Sequence, residues 1–155
     1  MNFSIRQATA DDAEQLADFR VLLFQSVNEI LDKNEARDAW HLFETSFRRT
    51  ITEGSHIAWL VETDGKAVAC GGANFFEKLP TPVNPSGKSL YVMNMFTLPE
   101  YRGHGSATLI LEAAKEFARS HGIRRVFLDS SAAGREVYRK AGFWEQEDVA
   151  MEIFV

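Results

Sequence analysis

The chain has 155 residues, with 17 Lys and Arg against 22 Asp and Glu and a formal charge of -5. That length fits one domain, residues 1–155, able to bury a real core, and the acidic balance argues against a nucleic-acid binder while leaning towards a cationic or amine-bearing partner. Cys70 is the only cysteine, which removes an internal disulfide and argues against a cysteine-based zinc site; no apolar run approaches the about 20 residues of a membrane span, and the first residues lack a signal pattern, so a cytoplasmic protein without membrane contact is expected.

Residues 3–8 alternate and read as a first strand. Thr9, Ala10, Asp11 and Asp12 form a helix start, with short polar caps and acids at the positive end. Ala13, Leu16, Ala17, Arg20, Leu23, Phe24, Val27 and Leu31 then keep helical spacing. A second helix is predicted over residues 35–53, carrying Trp40, Phe43, Phe47 and Ile51 and stopped by Gly54. Residues 56–62 and 67–76 read as strands joined by a hairpin turn at Asp64-Gly65. Pro80, Pro82 and Pro85 make residues 78–88 a loop. A strand over 90–97 leads into a glycine turn and a helix to about residue 120, stopped at His121-Gly122. A short strand over 125–129, a helix over 132–141 ended by Gly142, and a final strand region over 143–155 complete the chain. Early hairpins and a late crossover predict a mixed sheet with helices on both faces.

The turn Arg102-Gly103-His104-Gly105-Ser106-Ala107 carries the chemistry. A glycine-rich turn that opens a helix offers unpaired amides and the positive end of the helix dipole to an anion. Gly103 and Gly105 let a phosphate approach the backbone, and Arg102 adds a forked cation. A dinucleotide turn fits poorly. Thr108 replaces its third small residue, and residues 98–102 separate the strand from the glycines, although Asp129 ends the next strand as a ribose-binding acid would.

Arg102, Gly105 and Ala107 fit the pattern Arg/Gln-x-x-Gly-x-Gly/Ala, and Pro99-Glu100-Tyr101 precedes them. Further on, Gly134-Arg135-Glu136-Val137-Tyr138-Arg139-Lys140-Ala141-Gly142-Phe143 is a helix with a Tyr near its end, followed by Gly-Phe. The two segments, in this order, resemble the signatures of the GNAT superfamily of acetyl-CoA-dependent N-acetyltransferases. The resemblance implies an α/β (α+β) fold: a mixed, mostly antiparallel sheet of six or seven strands, helices on both faces, the fourth and fifth strands splaying apart around pantetheine. It implies an N-acetyltransferase that moves the acetyl group of acetyl-CoA, its co-substrate, to an amine-bearing acceptor by direct attack in a ternary complex, without a metal. It also admits a homodimer. The alternative from another class is a non-catalytic acyl-CoA-binding sensor or scaffold.

In this frame Arg102, Gly103, His104, Gly105, Ser106 and Ala107 hold the diphosphate, backbone groups of Met95, Phe96 and Thr97 pair with pantetheine, and Ser130 contacts CoA. Family members often carry Asn near Ser130, and this chain does not. Tyr138 is the candidate general acid, because a phenol with a pKa of about 10 matches the basicity of a departing thiolate. The base is not legible: Glu62, Glu77, Tyr91 and His56 are candidates, with Asn94 as a holder of a water through which the proton could pass. Tyr91 lies on the strand where some relatives carry a catalytic carboxylate. Cys70 lacks a neighbouring base motif and reads as a buried strand residue rather than an acylated nucleophile. The acceptor site is expected among the first two helices, the 78–88 loop and the strand ends, near Phe24, Asp32, Glu35, Asp38 and Trp40.

Overall fold

Alternating strands organise the molecule. In the computed structural model, which describes residues 2–155, the chain runs β1 (Ser4–Gln7), α1 (Ala13–Ser26), α2 (Lys33–Glu53), β2 (His56–Thr63), β3 (Lys66–Glu77), β4 (Lys88–Thr97), α3 (Ser106–Ser120), β5 (Arg125–Phe127) and α4 (Arg135–Lys140). The described strands form one sheet in the order β1-β2-β3-β4-β5, antiparallel throughout except for the parallel β4–β5 pair. Along β2, Ile57, Trp59 and Val61 point into one core cluster, and Ala58 and Leu60 into another. This is the period of two expected of a strand buried on both faces.

The first cluster receives α3 through Ile110, Leu111, Ala114 and Ala118. The second receives α1 through Leu16 and Phe19, and α2 through Phe47. Helices therefore cover both faces, as expected. Helix α1 begins after a capping box at Thr9 and Asp12, and α2 begins at one formed by Asp32 and Glu35. Trp40 Nε1 donates to Asp18 Oδ1 at 2.7 Å, tying α2 to α1.

Several boundaries differ from the sequence reading, among them β5, which ends at Phe127 rather than residue 129, and α2, which starts at Lys33 rather than residue 35. Helix α1 stops at Ser26 instead of continuing to Leu31; Asn28 turns left-handed at φ 59°, and Leu31 is 75% exposed. The helix α4 spans Arg135–Lys140 rather than residues 132–141. The sheet has five strands and not six or seven, because residues 143–155 form no strand. Val149, Met151 and Ile153 have strand-like spacing, yet each is at least 83% exposed. Alternation alone makes no strand without an edge to pair with, and β5 pairs over only Arg125, Val126 and Phe127.

Candidate functional site

Strand β4 is the spine of the site. Its parallel pairing with β5 covers only Ser89–Tyr91 against Arg125–Phe127. From Val92 to Thr97 the edge of β4 that faces away from β3 has no strand partner among the described residues. Such an edge presents backbone donors and acceptors to any extended ligand. Beside this gap the β3–β4 ladder slips: Gly72 opposes Met93 and Cys70 opposes Phe96, so Asn94 and Met95 share Gly71. Asn94 takes φ 56° there. The extra residue of a bulge reverses the alternation. Leu90 and Val92 accordingly join the α3 core, whereas Phe96 joins the α1–α2 core.

The glycine turn follows after a 3-10 turn over Pro99–Tyr101. Gly103 and Gly105 have φ of 79° and 92°, and nothing lies within 4 Å of where a Cβ would stand on either. Both are therefore glycine for backbone reasons, on an open surface. Helix α3 starts at Ser106 with no side-chain cap and no acid in its first turn. Its first helical bond is Leu109 N–H to Gly105 O. The amides of Ser106, Ala107 and Thr108 meet no protein acceptor among the described residues. Arg102 is steered over the turn: Nε donates to Thr97 O at 3.0 Å and the guanidinium carbon sits 5.7 Å from the Phe96 ring centre. His104 is exposed. The Ser106 hydroxyl lies inward, 3.0 Å from Thr97 Oγ1, so this side chain braces the turn and offers a ligand only its backbone.

On the α1–α2 side of the bulge, Arg20 Nη1 donates to Asn94 Oδ1 at 3.2 Å. The Cys70 thiol donates to Asn94 O at 3.4 Å. Burial pushes that thiol up to about 12, and the side chain has no solvent exposure, which leaves no thiolate for nucleophilic work. His56 is 7% exposed and lies against Phe47, with Nδ1 2.6 Å from Asn74 Oδ1. Its Nε2 is buried without a partner. Burial holds the imidazole below its usual pKa; the Asn74 bond opposes this and the Arg20 charge adds to it.

Tyr138 is half-buried on α4, its ring edge-on to Phe143 at 6.2 Å. Gly134 makes room for it, since a Cβ there would lie 2.8 Å from Tyr138 Cε2. Its hydroxyl bonds to none of the described residues, and burial raises its pKa, so it stays protonated at neutral pH. Ser130 is exposed and its hydroxyl donates to Ser131 O. Of the other base candidates, Glu62 is held by Arg6 Nε at 2.8 Å. Tyr91 donates to Asp129 at 2.8 Å and is pushed up to about 12, chiefly by burial. Glu77 is exposed at the end of β3.

The acceptor-side residues sort differently from the expectation. Asp32 and Glu35 cap α2, Asp38 pairs with Arg37 on the surface, and Trp40 serves Asp18. Phe24 does line the cluster, stacked on Phe43 at 5.6 Å. The residue that sequence reasoning passed over is Arg20. Its signal was present: a charge at a position where helical spacing calls for an apolar side chain.

Residues 21–143 match the acetyltransferase (GNAT) family. An uncharacterised N-acetyltransferase of Escherichia coli K12, YjgM, is 31% identical over 107 residues, which cover 66% of this chain and 59% of that protein. The chain thus spans less than two thirds of the length of that curated relative. A predicted acetyltransferase from Clostridium acetobutylicum, solved with acetyl-CoA, superposes with a TM-score of 0.83 at 26% identity, covering 98% of this chain and 96% of that one. A GCN5-related N-acetyltransferase from Ralstonia eutropha JMP134 shares the fold with a TM-score of 0.84 at 22% identity, over 98% and 99% of the two chains.

Proposed function

This chain belongs to the acetyltransferase (GNAT) family, and we propose that it transfers an acetyl group from acetyl-CoA to an amine by direct attack in a ternary complex, all within one domain. The observation that carries the reading is the conjunction of two features at one end of β4. The unpartnered edge after Tyr91 is followed, across the short connection 98–105, by an uncapped helix N-terminus. An extended amide-bearing arm with an anionic end fits that pair of features. In this reading the diphosphate takes the amides of the turn and the guanidinium of Arg102. The pantetheine amides pair along Met95, Phe96 and Thr97 as a further strand would.

The thioester carbonyl then lies beside the bulge at Asn94 and Met95. A bulge frees backbone amides from the ladder, and a free amide stabilises the oxyanion that forms when the amine attacks. The neutral amine nitrogen bonds to the carbonyl carbon, the carbon–sulfur bond breaks, and the proton that the nitrogen loses passes to solvent water, from which the Tyr138 phenol is later reprotonated. Tyr138 donates its phenolic proton to the departing thiolate. A phenol held neutral by burial suits that role. Cys70 takes no part, being buried and protonated.

The test is thiol release from acetyl-CoA across a panel of amines. Direct transfer predicts intersecting initial-rate lines and retained turnover in Cys70→Ala. Parallel lines with an acetylated Cys70 overturn the direct mechanism. Tight CoA binding with no release on any amine turns the reading into a binding module.

A further inference from the structure

Arg20 is a partly buried cation without an anion among the described residues. It lies on α1 facing β4, and its guanidinium carbon is 4.9 Å from the ring centres of both Phe24 and Phe43. Its one side-chain hydrogen bond among the described residues goes to Asn94 Oδ1. No carboxylate reaches it within ion-pair distance there, although Arg6, Arg48, Arg49 and Arg119 on the surface each hold one. Burial presses its pKa down from the usual value, yet an arginine keeps its proton.

A guanidinium has five N–H donors in a fixed planar fork. The aromatic faces of Phe24 and Phe43 meet its positive charge, but they give its in-plane N–H groups nothing to bond. Taking such a charge out of water is unfavourable unless it is paired and hydrogen-bonded. The chemistry that completes it is a carboxylate or phosphate, whose oxygens match the fork. The position of Arg20 says where that anion sits. Asn94, its partner, is the bulge residue beside which the thioester carbonyl is placed in the proposed reaction.

We infer that the acceptor is a small amine carrying a carboxylate or phosphate a few bonds from its nitrogen, and that Arg20 holds this anion. The identity of the amine rests on the transferase reading above; the anion contact does not. Asn94 then has a second use, because its side chain fixes one corner of the guanidinium and leaves the rest of the fork for the ligand.

Matched pairs test this: small α-amino acids against their carboxamides, and 2-aminoethyl phosphate against 2-aminoethanol. Two readouts are taken, thiol release from acetyl-CoA and calorimetric binding to CoA-saturated protein. Wild type is expected to favour the anionic member of at least one pair by about tenfold or more, and the pair that responds says whether carboxylate or phosphate is read. In Arg20→Gln the preference disappears through KM and through binding, with CoA affinity unchanged. Arg20→Lys keeps the charge without the fork and retains part of the preference, which carries the test should the Gln variant not fold. Equal use of both members of every pair by wild type overturns the inference. So does an Arg20→Gln variant that loses kcat equally on anionic and neutral amines, since that marks Arg20 as a brace for Asn94. Anion binding that depends on Arg20 without any thiol release supports the inference and sinks the transferase reading instead.

Discussion

The two faces of the sheet serve the same strand by different means. On the α3 face the candidate phosphate site is nearly all backbone: glycines with open space around them, a helix start without a cap, and one arginine laid across the top. On the α1–α2 face the site is mostly side chain. Arg20 and Cys70 both bond to Asn94, and His56 bonds separately to Asn74, under a roof of phenylalanines. In the proposed reading the first arrangement takes a group common to every CoA molecule and needs little shape. The second has the enclosure and the fixed polar atoms through which a site discriminates. It also shows that net charge is a poor guide to local charge: a chain of formal charge -5 turns a cation inward towards β4.

The contrast can be broken hardest at Gly105. Gly105→Glu sets a carboxylate at the uncapped end of α3 and forces φ 92° on a side chain. CoA affinity is expected to fall by about two orders of magnitude or more, read by calorimetry on folded protein; unchanged affinity removes the turn from the phosphate site. Tyr138→Phe comes next. It keeps the ring that packs on Phe143 and removes the proton. A kcat lower by about 10²-fold with native CoA affinity is expected, whereas wild-type turnover reduces Tyr138 to packing.

Stability separates the faces in the opposite sense. At Gly72 a Cβ would stand 2.5 Å from His56 Nε2 and 2.9 Å from Ile57 O. Gly72→Ala should cost about 2–3 kcal/mol from overpacking, against about 1 kcal/mol of backbone strain for Gly105→Ala. Equal losses in chemical denaturation erase the distinction between a crowded face and an open one.

The smallest effect concerns His56. Its folded pKa is depressed by burial, while the unfolded imidazole titrates at about 6.5. The unfolded chain therefore takes up the proton first, and stability present above about pH 6.5 falls as the pH drops below it. Asp12, held down to about 2 by Arg6, loses its contribution in a separate window below about pH 4. His56→Gln should flatten the decline in Tm between about pH 7 and 5; an unaltered slope means that another group carries it.

The sequence alone determined what depends on neighbours along the chain. The order of the elements, the Asp64-Gly65 hairpin, the caps at Thr9 and Asp32, and the glycine turn before α3 all arise from residues a few positions apart. The turn was legible for that reason: unpaired amides and positive φ are properties of the local chain. What the local chain did not show is the Ser106 side chain, whose hydroxyl is turned inward by Thr97, a residue brought alongside it by the fold. Tertiary structure decided everything that depends on partners far away. Strand β4 loses β5 after Tyr91, and its bulge exists only against Gly71. Residues 143–155 alternate like a strand but meet no edge to join. Arg20 and Asn94 are 74 positions apart. Along α1, Arg20 is one charged side chain on a stripe that otherwise carries Leu16, Leu23 and Phe24. Only packing sets it beside β4 with no carboxylate in ion-pair range among the described residues, and that isolation is what the proposed anion contact uses.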